Sequence, residues 1–237
     1  MSNVYLIRHG QAGTRDEYDT LSELGRRQAR LLGEHLVGQG VGFAAAYAGG
    51  LRRQQQTAAQ VAAAYAEAGL AFPELKIDAG WDEFDFHHVY KELAPLMCAD
   101  DPEFRREHEE MLAEARASAL DPSADVHRRW RNSDTKAMDA WVEGRYPYSG
   151  ESWEQFLARV AACRPEAGGN VAVFTSAVPA AVWTARTVEA ASTHVPRLAA
   201  VLLNTAYTVL QLRADEALLL TFNAVPHLHA PELRTRR

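Results

Sequence analysis

Four consecutive apolar residues, Val4-Tyr5-Leu6-Ile7, end abruptly in Arg8-His9-Gly10, and this junction constrains the fold more than any other stretch. Side chains of a strand alternate between two faces, so an unbroken run of strand-forming residues is read as buried on both. Strands of that kind belong to parallel sheets covered by helices. In such α/β sheets ligands bind beyond the carboxyl ends of the strands, which is where Arg8, His9 and Gly10 stand.

The remaining chain alternates in the same sense. A polar loop leads to a helix predicted over 22–37, with a capping box of Thr20 and Glu23 before it and Gly38 and Gly40 after it. Residues 43–48 read as a second strand, broken by Gly49-Gly50 ahead of an Ala- and Gln-rich helix over 51–68. A short strand over 76–79 precedes an aromatic and acidic segment. Helical segments then fill 91–164, at 102–118, 122–143 and 152–164. Strands resume at 170–175, 205–212 and 217–222, with a helix over 179–191 and a hairpin connection at 214–216. The expectation is a single α/β domain over 1–237, three layers deep. Its mostly parallel sheet carries helices on both faces and one antiparallel edge strand, and the insertion at 91–164 caps the site.

Composition removes several functional classes. With 25 Lys and Arg against 31 Asp and Glu, a net charge of −6, the chain lacks the basic footprint of a nucleic-acid binder. Its two cysteines, Cys98 and Cys163, are far apart and outside any Cys-x-x-Cys pattern, so they read as buried thiols and not as a disulfide framework or zinc site. The first apolar run is too short for a signal peptide, and none approaches the roughly 18 residues of a membrane span. A soluble cytoplasmic protein is expected, with no membrane partner and no prediction of oligomeric state.

Phosphoryl transfer requires a nucleophile, cationic donors for the charged oxygens, and an acid for the leaving alkoxide. His9 supplies a ring nitrogen if the other nitrogen is held by a carbonyl, Arg8 a planar fork for two phosphate oxygens, and Gly10 a close backbone turn. The segment Leu6-Ile7-Arg8-His9-Gly10-Gln11-Ala12 resembles the signature of the histidine phosphatase superfamily, the phosphoglycerate mutase-like proteins. Leu21-Ser22-Glu23-Leu24-Gly25-Arg26-Arg27-Gln28-Ala29 resembles the family's first helix, and Leu51-Arg52-Arg53-Gln54-Gln55-Gln56-Thr57-Ala58 its second arginine motif. The resemblance implies Arg53 as a second phosphate clamp.

Trp81-Asp82-Glu83-Phe84-Asp85-Phe86 resembles the segment carrying the family's acid and implies Glu83 as general acid, in aromatic surroundings that would raise its pKa. Gly150-Glu151-Ser152 and Leu203-Asn204-Thr205 resemble segments bordering the pocket, and Gln11 and Asn204 are candidate substrate contacts. Two departures matter. Gly49-Gly50 replaces a usual Ser-Pro pair, and Ser176-Ala177 stands where the family has a second His and a Gly. Ser176 then offers phosphate one neutral hydrogen bond in place of a cation. The resemblance implies a phosphatase using a phosphohistidine intermediate without metal or cofactor, slowed by this loss. Its ligand would be a phosphorylated small molecule or a phosphoprotein. A pseudophosphatase that binds phosphate without turnover is the alternative.

Overall fold

A computed structural model describes residues 2–13, 19–118, 131–165, 168–213 and 217–236. The chain forms two compact units, Met1–Glu83 with Arg159–Arg237, and Phe84–Ala158.

The first unit is built on six strands: β1 (Ser2–Arg8), β2 (Ala45–Ala48), β3 (Leu75–Ile77), β4 (Gly169–Thr175), β5 (Tyr207–Leu212) and β6 (Ala217–Ala224). Their order is β3-β2-β4-β1-β5-β6. The first four run parallel, with Arg8 registered on Thr175, while β5 is antiparallel to both β1 and β6. The fold is thus α/β with a mostly parallel sheet and an antiparallel pair at one edge. The strand opposed to β1 lies one position in from that edge. The connection predicted at 214–216 lies outside the described residues.

Burial on both faces explains the unbroken apolar run. Ile7, Ala46, Ala48, Ala172 and Phe174 pack with Leu32 and Leu36 of α1 (Glu23–Gly38) and Ala58, Val61 and Tyr65 of α2 (Arg52–Glu67). The alternate residues Val4, Leu6, Val171 and Val173 are equally buried. The helix α7 (Ala177–Thr187) touches β1, β5 and β6, and the short α8 (Val195–Val201) packs on α7. The predicted start of α1 holds to within one residue, but the capping box read there does not form. Its cap is Ser22, whose hydroxyl accepts the Gly25 N–H at 3.0 Å, and not Thr20. Leu51 offers α2 no side-chain cap; Asp82 supplies one from a distance, accepting the Leu51 N–H at 3.3 Å.

The second unit is helical, with α3 (Phe86–Asp100), α4 (Pro102–Ser118), α5 (Asn132–Val142) and the start of α6 (Trp153–Ala162), which returns the chain to the first unit. Phe84 stacks on Trp141 at 4.5 Å, and Trp153 and Phe156 complete the aromatic cluster. Ser152 and Gln155 exchange hydrogen bonds at the start of α6, so the Gly150-Glu151-Ser152 segment is a helix cap. Two helices were not anticipated: α3, whose Pro95 reads as a breaker, and α8. The first part of the helix predicted at 122–143 falls on residues outside those described. No helix among the described residues is long and apolar enough to cross a membrane.

Candidate active site

The end of β1 is held by side chains gripping its backbone. Gly10 N–H donates to Thr57 Oγ1 at 3.0 Å, Gln11 N–H to Gln28 Oε1 at 2.9 Å, and Asn204 Nδ2 to the His9 carbonyl at 3.1 Å. A Cβ on Gly10 would lie 2.4 Å from the Gly25 carbonyl oxygen, and one on Gly25 only 2.1 Å from that of Gln11. These two glycines therefore let the β1 loop and the first turn of α1 meet backbone to backbone. The single Thr205 N–H is shared between the carbonyls of Arg8 and His9, at a φ of 57°. A β-branched residue is strained there, and its surroundings hold it in place.

His9 is 5% exposed. Its Nδ1 lies 2.7 Å from the Gly10 carbonyl, which can only accept, so Nδ1 carries the proton and Nε2 the lone pair. Arg53 Nε donates to that Nε2 at 3.2 Å. Burial, then the positive charges of Arg53 and Arg8, hold the imidazole well below its ordinary pKa, against a smaller opposing effect of the Gly10 carbonyl. A buried neutral imidazole with a directed lone pair results. Arg53 Nη1 is paired with Asp19 at 3.0 Å, and Asp19 also accepts the Arg52 N–H.

Arg8 is placed differently from its sequence neighbour. Its Nη1 and Nη2 donate to the carbonyls of Leu202 and Arg236, so the fork expected to face phosphate is engaged by backbone. The pleat explains this: successive side chains leave a strand on opposite faces, sending Arg8 to the side opposite Ile7. Asn204 is fully buried, its amide shared between His9 and Thr235. From there it supports the backbone of His9. Gln11 Oε1 accepts the Ser22 hydroxyl at 2.8 Å.

Glu83 Oε2 accepts the Val178 N–H at 3.2 Å, in the first turn of α7. The carboxylate thus stands at the positive end of that helix. Ser176 is 1% exposed and caps α7 in backbone geometry, but its hydroxyl makes no cap bond and instead accepts Gln54 Nε2 at 2.9 Å. The structure brings His9 and Arg53 into direct contact and places Glu83 and Ser176 together at the start of α7. Asp19, Gln28, Gln54 and Thr57 were not singled out from sequence. Of these, Gln28, Gln54 and Thr57 lie inside the quoted motif segments, whereas Asp19 carries no signal beyond a polar loop. Burial pushes the Cys163 thiol up to about 12, as expected of a structural thiol. No cluster of three or more His, Cys, Asp or Glu suited to a metal occurs among the described residues.

Comparison with known proteins places this geometry. YhfR of Bacillus stearothermophilus is 18% identical and has a TM-score of 0.62, with 97% of this chain and 100% of that one covered. A phosphoserine phosphatase of Entamoeba histolytica, in complex with 3-phosphoglyceric acid, is 18% identical with a TM-score of 0.56, covering 96% and 100%. A mycobacterial glucosyl-3-phosphoglycerate phosphatase complexed with VO3 is 22% identical with a TM-score of 0.55, covering 94% and 99%. At these identities the likeness is one of fold. No curated protein matches the sequence. The family model of the histidine phosphatase superfamily, branch 1, matches residues 4–136, from β1 into α5. With more than half of its length matched, the chain belongs to the histidine phosphatase superfamily, branch 1.

Proposed function

We propose that this protein hydrolyses phosphate monoesters through a phosphorylated His9. The observation that carries the reading is the imidazole itself, buried, neutral and presenting Nε2 to Arg53. In the first step the Nε2 lone pair forms a bond to phosphorus while the bond to the ester oxygen breaks, and Glu83, as the acid, protonates the leaving alkoxide. In the second, water attacks the phosphoimidazole. Glu83 takes the water's proton, orthophosphate departs, and His9 is restored.

Arg53 is assigned the phosphate clamp, held in orientation by Asp19. Arg8 contributes positive charge and anchorage, since its terminal nitrogens are engaged by carbonyls. Ser176 contributes a neutral donor, Gln11 the edge of the substrate pocket, and Asn204 the support of His9. A missing preorganised donor typically costs about a hundred- to a thousandfold in rate, so turnover is expected to be slow. We assign the chain a single domain with a helical insertion over 91–164. Phosphorylated small molecules are the favoured class, in keeping with the phosphatases that share the fold. No metal or cofactor takes part in the scheme.

The test is release of phosphate from a chromogenic aryl phosphate in the presence of a chelator, with acid-labile versus base-labile phosphoenzyme analysed in parallel. His9→Ala should abolish both release and the acid-labile, base-stable phosphoenzyme. Equal release by the two proteins refutes the reading. Phosphate binding with no release over hours would instead identify a pseudophosphatase, a role in line with the engaged donors of Arg8.

A further inference from the structure

We infer that Gln54 is a positioning residue that turns the Ser176 hydroxyl into a directed donor for the phosphoryl group, and that Gly49 provides the space this requires. The inference rests on the assignment of the site to phosphate made above.

Serine at a helix N-cap ordinarily turns its oxygen toward the N–H groups of its own first turn. Ser176 does not. The Val178 N–H goes to Glu83, and the Ser176 oxygen is taken by Gln54, which comes from another helix. The orientation of the Gln54 amide follows from its neighbours. Nε2 lies 3.3 Å from the Trp81 carbonyl as well as 2.9 Å from Ser176 Oγ, and a carbonyl can only accept, so the NH2 end faces both. A hydroxyl that accepts from an amide retains one hydrogen to donate. Gln54 thereby occupies the serine's acceptor side and directs its proton elsewhere.

The placement of the pair links it to the reacting centre. Arg53 and Gln54 are consecutive in the first turn of α2. One reaches His9 beyond β1 and the other reaches Ser176 beyond β4, and these strands are adjacent with Arg8 opposite Thr175. A single helix start thus governs both strand ends. Gln54 is fully buried, and its position depends on Gly49: a Cβ there would stand 2.0 Å from Gln54 Oε1 and 2.3 Å from Asp82 Oδ1. A side chain at residue 49 and an amide at 54 in this pose are mutually exclusive.

Gln54→Glu tests this with almost no change of shape. An ionised carboxylate can only accept, so it would draw the Ser176 proton toward itself and away from the ligand. The full-length wild type, Ser176→Ala, Gln54→Glu and the double variant should be titrated with inorganic phosphate between pH 5 and 8.5. Affinity is read as a ratio to wild type at each pH, with aryl phosphate kinetics alongside. Ser176→Ala should weaken binding about tenfold, the scale of one hydrogen bond. Gln54→Glu should weaken it at least as much at pH 8 and recover as pH falls, because the protonated acid again donates to Ser176. In the Ser176→Ala background the same change should cost several-fold less.

Equal losses in both backgrounds would show a plain charge effect and overturn the proposal, as would a Gln54→Glu protein that binds like wild type at pH 8. If the carboxylate prevents folding, Gln54→Met preserves bulk without a donor, and its loss should likewise depend on Ser176. Binding without turnover in the wild type retires the hydrolase reading yet leaves this cycle measurable. Absence of phosphate binding overturns both.

Discussion

The ends of β1 and β4 lie side by side in register, yet they are built on different principles. At β1, side chains from α1, α2 and the entrance to β5 grip the backbone, while the neutral His9 ring meets the charged Arg53. At β4, side chains converge on one backbone carbonyl and on each other: Thr175 Oγ1 donates to the Trp81 carbonyl at 2.6 Å, Gln54 donates to the same carbonyl, and Gln54 also holds Ser176. One end is a rigid backbone seat for an ionisable ring. The other is a neutral network, whose geometry depends on amide and hydroxyl orientation. Around His9 the main chain is held fast; around Ser176 it is the orientation of amide and hydroxyl that is set.

The largest separation between the two ends should appear on removing the charge at the β1 side. Arg53→Ala is expected to lower kcat/KM by about a hundred- to a thousandfold and to let the His9 pKa rise toward its ordinary value, since after burial Arg53 is the stronger of the two charges depressing it. Histidine NMR titration reads the second effect. A His9 pKa that stays put would break the electrostatic link. Next comes the backbone seat: Gly25→Ala places a methyl against the Gln11 carbonyl and should destabilise by about 1–3 kcal/mol or more, read by urea unfolding. A neutral outcome there would mean the β1 loop yields easily, contrary to the contrast drawn above. Asn204→Ala removes the donor from the His9 carbonyl and should cost about 1–3 kcal/mol together with a fall in kcat. Thr175→Val, in the β4 network, is expected to cost the least, about 1 kcal/mol, with KM nearly unchanged.

Stability should also depend on pH in a defined sense. The His9 pKa is depressed by burial first, and that of His227 is lowered to about 3, again chiefly by burial, with His35 and His229 adding to it. Both are therefore harder to protonate folded than unfolded, where a histidine titrates near 6.5. Their contribution is fully present above about pH 6.5 and is lost as pH falls below it. His227 Nε2 lies 2.9 Å from the Thr205 hydroxyl, which itself donates to the Asn204 carbonyl, so Nε2 is the donor. His227→Gln, which keeps a donor of similar reach without the titration, should flatten the acid slope of unfolding free energy. An unchanged slope would place the acid sensitivity elsewhere.

Much of the fold was legible because its signals are local. An apolar run buried on both faces, glycine breaks, and helical periodicity suffice for β1, α1, α2, β4 and the helical character of 102–118. The signals failed where distant groups replaced local ones. Ser22 took the cap assigned to Thr20, Asp82 capped a helix from 31 positions away, and α3 ran through Pro95. His9 and Arg53 were nameable because their chemistry travels with short motifs. Arg8 sits in the same motif, but a motif does not state on which face of the strand a side chain emerges or that its terminal nitrogens meet backbone carbonyls.

By itself the sequence determined the α/β architecture and which residues carry charge and lone pairs near β1, which follow from short-range pattern, and its motifs carried the resemblance to the family. Only the tertiary structure decided which nitrogen of His9 is available, that Arg8 is engaged by the carbonyls of residues 202 and 236, and that Gln54 and Gly49 shape the surroundings of Ser176. The reason is physical: hydrogen-bond partners and close approaches are set by which groups meet in space, and here, apart from the adjacent Gly10 carbonyl on His9, the decisive ones are separated by between 5 and 228 positions.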